Sequence, residues 1–160
     1  MLVTLIAAVS EDGFISEGKG VPWDIPEDRA HFRSYTAGKW LLLGRTTYEE
    51  MLGWFGDHTP LVMTRDAGYK PKIGQRVSSV AEAIALAEKA RQSELVVCGG
   101  GQIYAAAIPL ANRLIITRVA STLGAGVPFP KIDSREWSLT QAEQHDAALP
   151  FTFEQHERRI

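Results

Sequence analysis

Short apolar runs alternate along this chain with segments of helical character. The run Leu2–Val9 is nearly continuous, which is typical of a strand buried on both faces. Further strands are predicted at Lys39–Leu43, Pro60–Thr64, Glu94–Cys98 and Arg113–Ala120, with an ambiguous edge strand in Lys70–Val77. Helices are predicted from the Asp24–Glu27 segment to about Thr36, from Thr46 to about Leu52, from Ser79 to about Arg91, and from Gln102 to Ile108 before Pro109.

Three of these helix starts carry the same local signal. Asp24, Thr46 and Ser79 each stand three residues before a glutamate. A short polar residue followed at this distance by Glu is the pattern of a capping box, in which the two side chains accept hydrogen bonds from free backbone N–H groups. Pro26 also suits the first turn of a helix. The spacing therefore predicts that all three helices begin with side-chain caps.

The order of the elements predicts the fold class. Strands that alternate with helices favour a mainly parallel sheet covered on both faces. Near the C-terminus, Trp137–Glu143 and Phe151–Glu157 alternate between apolar and polar residues, which predicts an antiparallel pair. We therefore expect an α/β fold, with a central, mostly parallel mixed β-sheet of about eight strands, about four flanking helices and a C-terminal antiparallel hairpin.

In such a sheet, ligands bind beyond the carboxyl ends of the strands. The segments predicted to lie there are Ser10–Val21, Gly44–Thr47, Thr64–Arg65 and Gly99–Gln102. The first is rich in glycine and charge, with Glu11–Gly13 as a turn, so we expect a mobile surface loop. These segments are also the chemically distinctive ones in the chain.

Two of them place glycines at the start of a helix. Gly99–Gly101 allows a ligand to touch the backbone, and the helix that follows offers free N–H groups to a phosphate. Gly44–Thr47 repeats this arrangement and adds a guanidinium and two hydroxyls, while Arg65 adds a second cation. The alternatives are tight turns without a ligand and ordinary surface arginines. Together the features favour a ligand with several phosphates, and a dinucleotide fits.

Asp28 is the most distinctive acidic residue. Phe32 follows four residues later, so the two share one face of the predicted helix. Burying a carboxylate beside an aromatic ring is costly unless it is protonated or hydrogen-bonded to a group that needs an acceptor. The alternative is a first-turn acid that complements the helix dipole at a solvated edge.

Composition limits the class of protein. The chain has 160 residues, 45% hydrophobic content and a net charge of −2, which predicts one globular domain spanning residues 1–160. No basic stripe indicates nucleic acid binding, and no apolar run or N-terminal pattern indicates a membrane span or a signal peptide. The single cysteine, Cys98, excludes an internal disulfide and leaves the compartment open, with the cytoplasm as the default expectation.

The sequence shows no metal motif and no catalytic nucleophile. The four histidines are scattered, without the spacing of metal ligands. No Ser-His-Asp or Cys-His arrangement is indicated by its context. The chemistry is therefore expected to come from a bound cofactor, with Asp28 positioning a substrate or managing a proton.

Taken together, these segments resemble dihydrofolate reductase over essentially the whole chain. Each motif is weak alone, but their order and spacing are specific. The residues that carry the resemblance are Leu5-Ile6-Ala7-Ala8, Val21-Pro22-Trp23, Pro26-Glu27-Asp28 with Phe32, Gly44-Arg45-Thr46-Thr47-Tyr48-Glu49, Thr64-Arg65, Gly99-Gly100-Gly101-Gln102-Ile103-Tyr104, Leu114-Ile115-Ile116-Thr117, Phe129-Pro130 and Glu136-Trp137.

The resemblance implies a single-domain dihydrofolate-reductase-like fold and a set of roles. Asp28 is similar to the family's buried carboxylate, which binds the ring N–H and exocyclic amine of the pterin. Thr117 would support it through a water, and Trp23 would hold a water nearby. The substrate-binding residues that the resemblance implies are Ile6, Ala7, Ala8, Phe32, Met51, His58, Cys98 and Tyr104. The implied cofactor-binding residues are Ala8, Ile15, Gly44, Arg45, Thr46, Thr47, Thr64, Arg65, Gly99, Gly100, Gly101, Gln102, Ile103 and Tyr104.

The activity implied by the resemblance is hydride transfer from NADPH to the C6 atom of the pterin, with protonation of N5. The expected partners are therefore small molecules, namely dihydrofolate or a related pterin and antifolate inhibitors. Neither nucleic acid nor a membrane is expected as a partner, and the expected form is a cytoplasmic monomer.

Several positions depart from the family pattern. Asp57-His58 stands where the family usually has an arginine that binds the glutamate tail of folate, and histidine would be a weaker, pH-dependent substitute. Gln102 replaces a base, and an acidic residue is missing near Gly124–Gly126. Asp12–Ile15 is more similar to the pyrimidine reductases of riboflavin synthesis. Such a reductase, or a non-catalytic protein that binds a pterin or nucleotide, is the alternative function.

Overall fold

A computed structural model describes residues 1–18 and 22–160, and the predicted end of the first loop at Val21 lies outside these residues. The strands are β1 (Leu2–Ser10), β2 (Phe14–Ser16), β3 (Trp40–Gly44), β4 (Thr59–Met63), β5 (Gln75–Val77), β6 (Glu94–Gly99), β7 (Arg113–Val119), β8 (Val127–Pro128), β9 (Trp137–His145) and β10 (Phe151–Arg158). The helices are α1 (Pro26–Thr36), α2 (Arg45–Glu50), α3 (Val80–Lys89) and α4 (Gly101–Ala107), followed by a 3₁₀ turn over Ile108–Leu110.

Eight strands form the central sheet, in the order β5-β4-β3-β6-β1-β7-β10-β9. The first six strands in this order are parallel to one another. Strand β10 runs antiparallel to both β7 and β9. This arrangement confirms the predicted α/β class, the mostly parallel sheet and the C-terminal hairpin.

Helices cover both faces of the sheet. Successive side chains of a strand point to opposite faces, so each strand contributes to the apolar core on either side. Alternate residues of β1 therefore enter different cores. Leu5 and Val9 pack with residues of α3 and α4 in one apolar cluster. Ile6 packs in a second cluster, which includes Tyr48 of α2 and against which Phe32 of α1 packs. None of the helices in the described part of the chain is long and apolar enough to cross a membrane.

Two of the three predicted capping boxes are wrong. Helix α1 has Ile25 as its N-cap residue and no side-chain cap, because Asp24 instead pairs with Arg29. Helix α2 begins one residue earlier than predicted, after Gly44, and it also lacks a side-chain cap. The third prediction holds at Ser79, whose hydroxyl accepts a hydrogen bond from the backbone N–H of Glu82 at the start of α3.

The first loop is more ordered than its composition suggests. Residues of β2 pair with β8 in a separate two-stranded sheet, which the sequence did not predict. Asp12 connects the same two regions, since its carboxylate accepts hydrogen bonds from the N–H groups of Leu123 and Gly124 at 3.1 and 2.8 Å. A hydrogen bond from the hydroxyl of Ser10 and, to a smaller extent, these two backbone bonds lower the pKa of Asp12. The residues around Gly124 are thus held against the loop by an acid in the loop itself.

Candidate active site

Asp28 lies in the first turn of α1, where the helix crosses the sheet near the end of β7. The hydroxyl of Thr117 in β7 donates a hydrogen bond to Oδ1 of Asp28 at 2.5 Å. The contact is direct, so the expectation that a water would connect the two side chains is wrong. Thr117 is 3% exposed, so its hydroxyl is fixed within the sheet. The other oxygen of Asp28 has no hydrogen bond from residues 1–18 or 22–160 and can accept one from a ligand.

The surroundings of Asp28 shift the pKa of its carboxyl in opposing directions. Burial raises the pKa of the carboxyl above the ordinary value of 3.8, while the bond from Thr117 and the nearby His31 act in the opposite direction. Burial therefore outweighs the two favourable interactions. A ligand that donates N–H bonds or carries positive charge would stabilise the anion, which is the chemistry expected of a protonating pterin.

Trp23 lies beside α1, where it packs with Ala8 against a small cluster that includes Ile25 and Phe151. Its indole Nε1 is buried and has no hydrogen-bond partner among residues 1–18 and 22–160. A buried N–H donor usually has an acceptor. The position is consistent with the expectation that Trp23 holds a water, and that role stays a prediction.

The apolar side of the site is built mainly from the α1 face of the sheet. Phe32 and Met51 pack against the cluster that contains Ile6 and Cys98. Ala7 lies in the opposite cluster, because neighbouring residues of a strand point to opposite faces. The side chain of Ala7 therefore points away from this side of the sheet, so only its backbone could contact a ligand here, and its role in substrate binding stays a prediction.

Tyr104 and Cys98 are both buried, and neither offers a free polar group. The hydroxyl of Tyr104 donates to the carbonyl oxygen of Ile6 at 2.6 Å. Burial raises the pKa of Tyr104, and Cys98 and Asp28 add to the effect. Burial likewise raises the pKa of the Cys98 thiol far above its ordinary value. Both side chains can shape the site, but neither is suited to exchange protons with a ligand.

His58 does not offer its imidazole to a ligand. The residue is 9% exposed, and its Nδ1 accepts the backbone N–H of Gly56 at 3.1 Å. Its Nε2 lies 3.4 Å from the hydroxyl of Thr36. Since that hydroxyl donates to Phe32 at 2.8 Å, it is free to accept from His58. Burial lowers the pKa of His58, so the ring is neutral and engaged, and the expectation that it binds a carboxylate is wrong.

A separate cavity of about 470 Å³ lies beyond the ends of β3, β4, β5 and β6. It brings together most of the predicted cofactor residues, namely Gly44, Arg45, Thr46, Thr47, Thr64, Arg65, Gly100, Gly101, Gln102 and Ile103. Four other predicted residues do not line it: Ala8, Ile15, Gly99 and Tyr104. Three lining residues were not predicted, which are Met63, Ser78 and Ala106. Ser78 directly follows β5, the strand that the sequence left ambiguous. Its position at a strand end could therefore have been predicted only if that strand had been predicted.

Two glycines of this cavity, Gly101 and Gly44, are closely packed. A Cβ atom added to Gly101 would lie 2.5 Å from Cγ1 of Val127, and one added to Gly44 would lie 3.1 Å from Cγ1 of Ile103. Both helices that start here, α2 and α4, lack side-chain caps. Their first N–H groups therefore remain available to an anion. With two arginines and several hydroxyls, this donor set fits a phosphate-bearing cofactor.

The two arginines differ in how they are held. Arg45 donates to Glu49 at 3.0 Å and to Asp66 at 3.3 Å, and its guanidinium lies 4.2 Å from the ring centre of Tyr69. Arg65 is exposed, and no hydrogen bond or ion pair to it is found within the described ranges. Arg45 is thus a fixed part of the cavity wall, while Arg65 is the less constrained cation. No metal-binding group of His, Cys, Asp or Glu occurs among the described residues.

The cavity lined by helix N-termini, hydroxyls and two arginines, together with the half-buried carboxylate of Asp28 on the same α/β sheet, fits the class of proteins that bind a phosphate-bearing cofactor and a second ligand with N–H donors. A family model described as dihydrofolate reductase matches residues 2–158. The dihydrofolate reductase of Neisseria gonorrhoeae is 39% identical over 155 residues, covering 94% of each chain. Dihydrofolate reductase type 3 of Salmonella typhimurium is 31% identical, covering 92% of this chain and 90% of its own.

A solved structure shows the same relationship. Dihydrofolate reductase from Enterococcus faecalis, complexed with NADP(H) and RAB-propyl, has a TM-score of 0.89 and 27% identity. The match covers 99% of this chain and 97% of that one. The chain belongs to the dihydrofolate reductase family. The family match decides between the two related reductase families in favour of dihydrofolate reductase.

Proposed function

We propose that this protein reduces dihydrofolate to tetrahydrofolate with NADPH as the hydride donor. The observation that carries this proposal is the half-buried carboxylate of Asp28, oriented by Thr117 at 2.5 Å. Bound NADPH supplies the hydride for C6 of the pterin, and the product also gains a proton at N5. The protein's own part is to bind the pterin, to orient it and to stabilise positive charge on it.

Asp28 provides the charge that the reaction needs. An anionic carboxylate can accept the ring N–H and exocyclic amine of the pterin, and it stabilises the cationic character that develops when N5 gains its proton. Thr117 keeps the carboxylate in one orientation. Trp23 would hold a water beside Asp28, while Ile6, Ala8, Phe32 and Met51 would enclose the apolar surface of the ring.

The alternative functions are separated by one assay. Oxidation of NADPH should be measured with dihydrofolate, with a dihydropterin that lacks the glutamate tail, and with the ribosylated pyrimidine phosphate of riboflavin synthesis. We expect turnover of dihydrofolate and none of the pyrimidine. Turnover of the pyrimidine alone would replace the proposal, and no turnover of any of them would favour a binding protein.

Because both nitrogens of His58 are already engaged, we expect Arg33 to bind the carboxylate of the substrate's glutamate tail. Arg33 is exposed in the last turn of α1, and its guanidinium lies 5.0 Å from the ring centre of Trp54, which in turn stacks on His58 at 4.6 Å. An arginine there can pair with a carboxylate in a bidentate manner.

We expect Arg33→Ala to raise the Michaelis constant for dihydrofolate about tenfold, which corresponds to about 1.4 kcal/mol. The constant for the tail-less dihydropterin should not change. Arg29→Ala is the matched control on the same helix, because Arg29 already pairs with Asp24. Equal effects of Arg33→Ala on both substrates would contradict this role. His58→Arg should lower the melting temperature, because the imidazole is only 9% exposed and its two nitrogens already contact Gly56 and Thr36.

Selectivity for NADPH over NADH is expected to depend on Arg65 more than on Arg45. Arg65 is free of the two acids that hold Arg45, so its charge is available to the extra phosphate of NADPH. A charge-assisted bond of this kind contributes about 1.5–3 kcal/mol. The ratio of kcat/KM for the two cofactors should therefore fall roughly tenfold or more in Arg65→Ala. An unchanged ratio in that variant, or a larger loss in Arg45→Ala, would count against the assignment.

We also propose that residues 1–160 act as one domain, as a monomer and in the cytoplasm. The support for one domain is that apolar clusters cover both faces of a single sheet that includes elements from both ends of the chain. Size-exclusion chromatography with light scattering would test the monomer. Cell fractionation in the source organism would test the compartment.

A further inference from the structure

Three neighbouring strands place one row of side chains under helix α1. In the sheet register, Thr117 of β7 is opposite Phe153 of β10, and Phe153 is opposite Glu143 of β9. Cross-strand partners point to the same face of a sheet. The row therefore starts at the residue that binds Asp28 and ends at a carboxylate on the edge strand.

Helix α1 sets a second pair of residues over this row. Asp28 and His31 are three positions apart, so they lie on the same side of the helix. Asp28 contacts Thr117 at 2.5 Å. The ring of His31 stacks on Phe153, with the ring centres 4.2 Å apart and the planes 24° from parallel. The imidazole thus lies on the side of α1 that carries Asp28, over a row of side chains that ends at Glu143 on the hairpin.

The charged and titratable groups around this imidazole are mostly acidic. A cavity of about 430 Å³ lies beside His31 and is lined from the strands by Ile115, Gln141, Ala142, Glu143, Phe153, Glu154 and Gln155. Glu154 is engaged with His156 at 3.0 Å and Arg118 at 3.6 Å. Glu143 pairs with His145 at 3.0 Å. The Nε2 atom of His31 itself is buried without a partner among the described residues.

We propose that His31 is a positioning residue for Asp28: its imidazole, stacked on Phe153, gains a proton in the acidic range and there favours the charged form of the Asp28 carboxylate. The inference rests on the proposed function, in which the anion of Asp28 stabilises the protonating pterin. Burial lowers the pKa of His31, and the charges of Asp28 and Glu143 oppose that effect. In return, the charge of His31 lowers the pKa of Asp28. Each charge therefore favours the other, which is the effect that the titration below measures.

The stack on Phe153 gives the pair a fixed geometry. An imidazole free to rotate into solvent would be screened and would influence Asp28 little. Held one helical turn from the carboxylate and partly buried, it acts through a medium of lower dielectric constant. The charge of His31 therefore extends the pH range over which Asp28 is anionic to lower pH values.

The test is a direct titration of Asp28 by carbon NMR on protein labelled at aspartate carboxyls, with Asp28→Asn used to assign the signal. His31→Phe keeps an aromatic ring on Phe153 and removes the charge. We expect it to raise the pKa of Asp28 by about half a unit or more. His145→Phe is the matched control, because it removes another histidine from the same acidic row, and it should change the value by less than about 0.2 unit.

A second measurement tests the proposal even if His31→Phe does not fold. In the unmodified protein, the imidazole signals of His31 should show an inflection at the pKa of Asp28 in addition to their own. His31→Gln should raise the pKa of Asp28 as His31→Phe does. Equal Asp28 values in all folded variants, or a His31 signal without the shared inflection, would overturn the proposal.

The titration does not depend on turnover, so its failure is distinct from failure of the proposed function. In stopped-flow measurements of hydride transfer, the acidic limb of the pH profile should move upward by the same amount in His31→Phe. A changed NMR titration in a protein without reductase activity would reject the function and keep the coupling.

Discussion

Replacing Asp28 with asparagine should lower the rate of hydride transfer at neutral pH by about 100-fold or more, with the fold intact. The amide keeps the shape of the side chain and can still accept the bond from the Thr117 hydroxyl, which measures 2.5 Å in the unmodified protein. It carries no charge to stabilise a cationic pterin. Losses of about 10²–10³ are typical when a preorganised electrostatic contact to a transition state is removed. Single-turnover oxidation of NADPH would give the rate directly.

The same variant should not lose stability. Burial raises the pKa of Asp28 above the ordinary value of 3.8, so the folded state holds the charged form less favourably than the unfolded chain does. A group with a raised pKa stabilises the fold at low pH, and this contribution is lost as the pH rises through the folded-state pKa. At neutral pH, Asp28→Asn should therefore unfold at the same temperature as the unmodified protein or a higher one. A loss of activity accompanied by a lower melting temperature would indicate misfolding instead.

Thr117→Val provides a graded comparison. It removes the donor to Asp28 but leaves the carboxylate, so its effect on the rate should be about tenfold, as expected for one hydrogen bond to a charged group. The loss of that bond should also raise the pKa of Asp28 further, which moves the acidic limb of the rate profile to higher pH. Equal rates in Thr117→Val and Asp28→Asn would contradict a special role for the carboxylate.

Most of the sheet could be predicted because its strands are buried on both faces. Runs such as Leu2–Val9 and Glu94–Cys98 are apolar and short, and their order with the helices is sufficient for a parallel sheet. The short strands β2 and β8 could not be predicted, since they pair only with each other and cover three and two residues. Such pairs depend on tertiary contacts, here including those of Asp12, that leave no periodic pattern.

The candidate site was predicted unevenly, for reasons that differ between residues. Glycine-rich turns at strand ends indicated the cofactor cavity, because backbone approach depends on local sequence. Asp28 was recognisable from its helix and from the family resemblance. The enclosure of His58 was not predictable, because it follows from contacts with Gly56 and Thr36 that are set by the packing of α1 against the loop before β4. The stacking of His31 on Phe153 is likewise a contact between distant segments.

Glu94 is a residue outside the site whose contacts could likewise not be predicted from the sequence, because they join distant segments. It begins β6 and is 9% exposed, although a glutamate at the start of a strand is usually solvated. Its carboxylate accepts hydrogen bonds from Thr4 at 2.6 Å and from Tyr35 at 2.5 Å. Lys39 lies 2.8 Å from the other oxygen. These contacts connect β1, α1 and β6 at the amino-terminal end of β6, away from the strand ends that form the site, so this acid stabilises the position of the helix that carries Asp28.

Removal of this charge should have the largest effect on stability. Breaking a buried ion pair by neutralising one partner costs about 3–5 kcal/mol, and the partial exposure of Lys39 reduces this to about 2–3 kcal/mol. We therefore expect Glu94→Gln to lower the melting temperature by roughly 4–12 °C. Glu157→Gln is the control, since it breaks a more exposed pair with Arg113 and should cost less than about 1 kcal/mol.

The effect of Glu94→Gln should depend on pH with a definite sign. Burial alone would raise the pKa of Glu94, but the contacts with Lys39, Thr4 and Tyr35 outweigh it and lower the pKa below the ordinary value of 4.5. A lowered pKa stabilises the fold above the unfolded-state value, and the contribution is lost as the pH falls through the folded-state value. Urea unfolding of both proteins should therefore differ by a constant free energy above about pH 5.5, and the difference should shrink as the pH falls below about 4.5. A difference that stays constant into the acidic range would mean that packing of the side chain, and not its charge, joins α1 to the sheet.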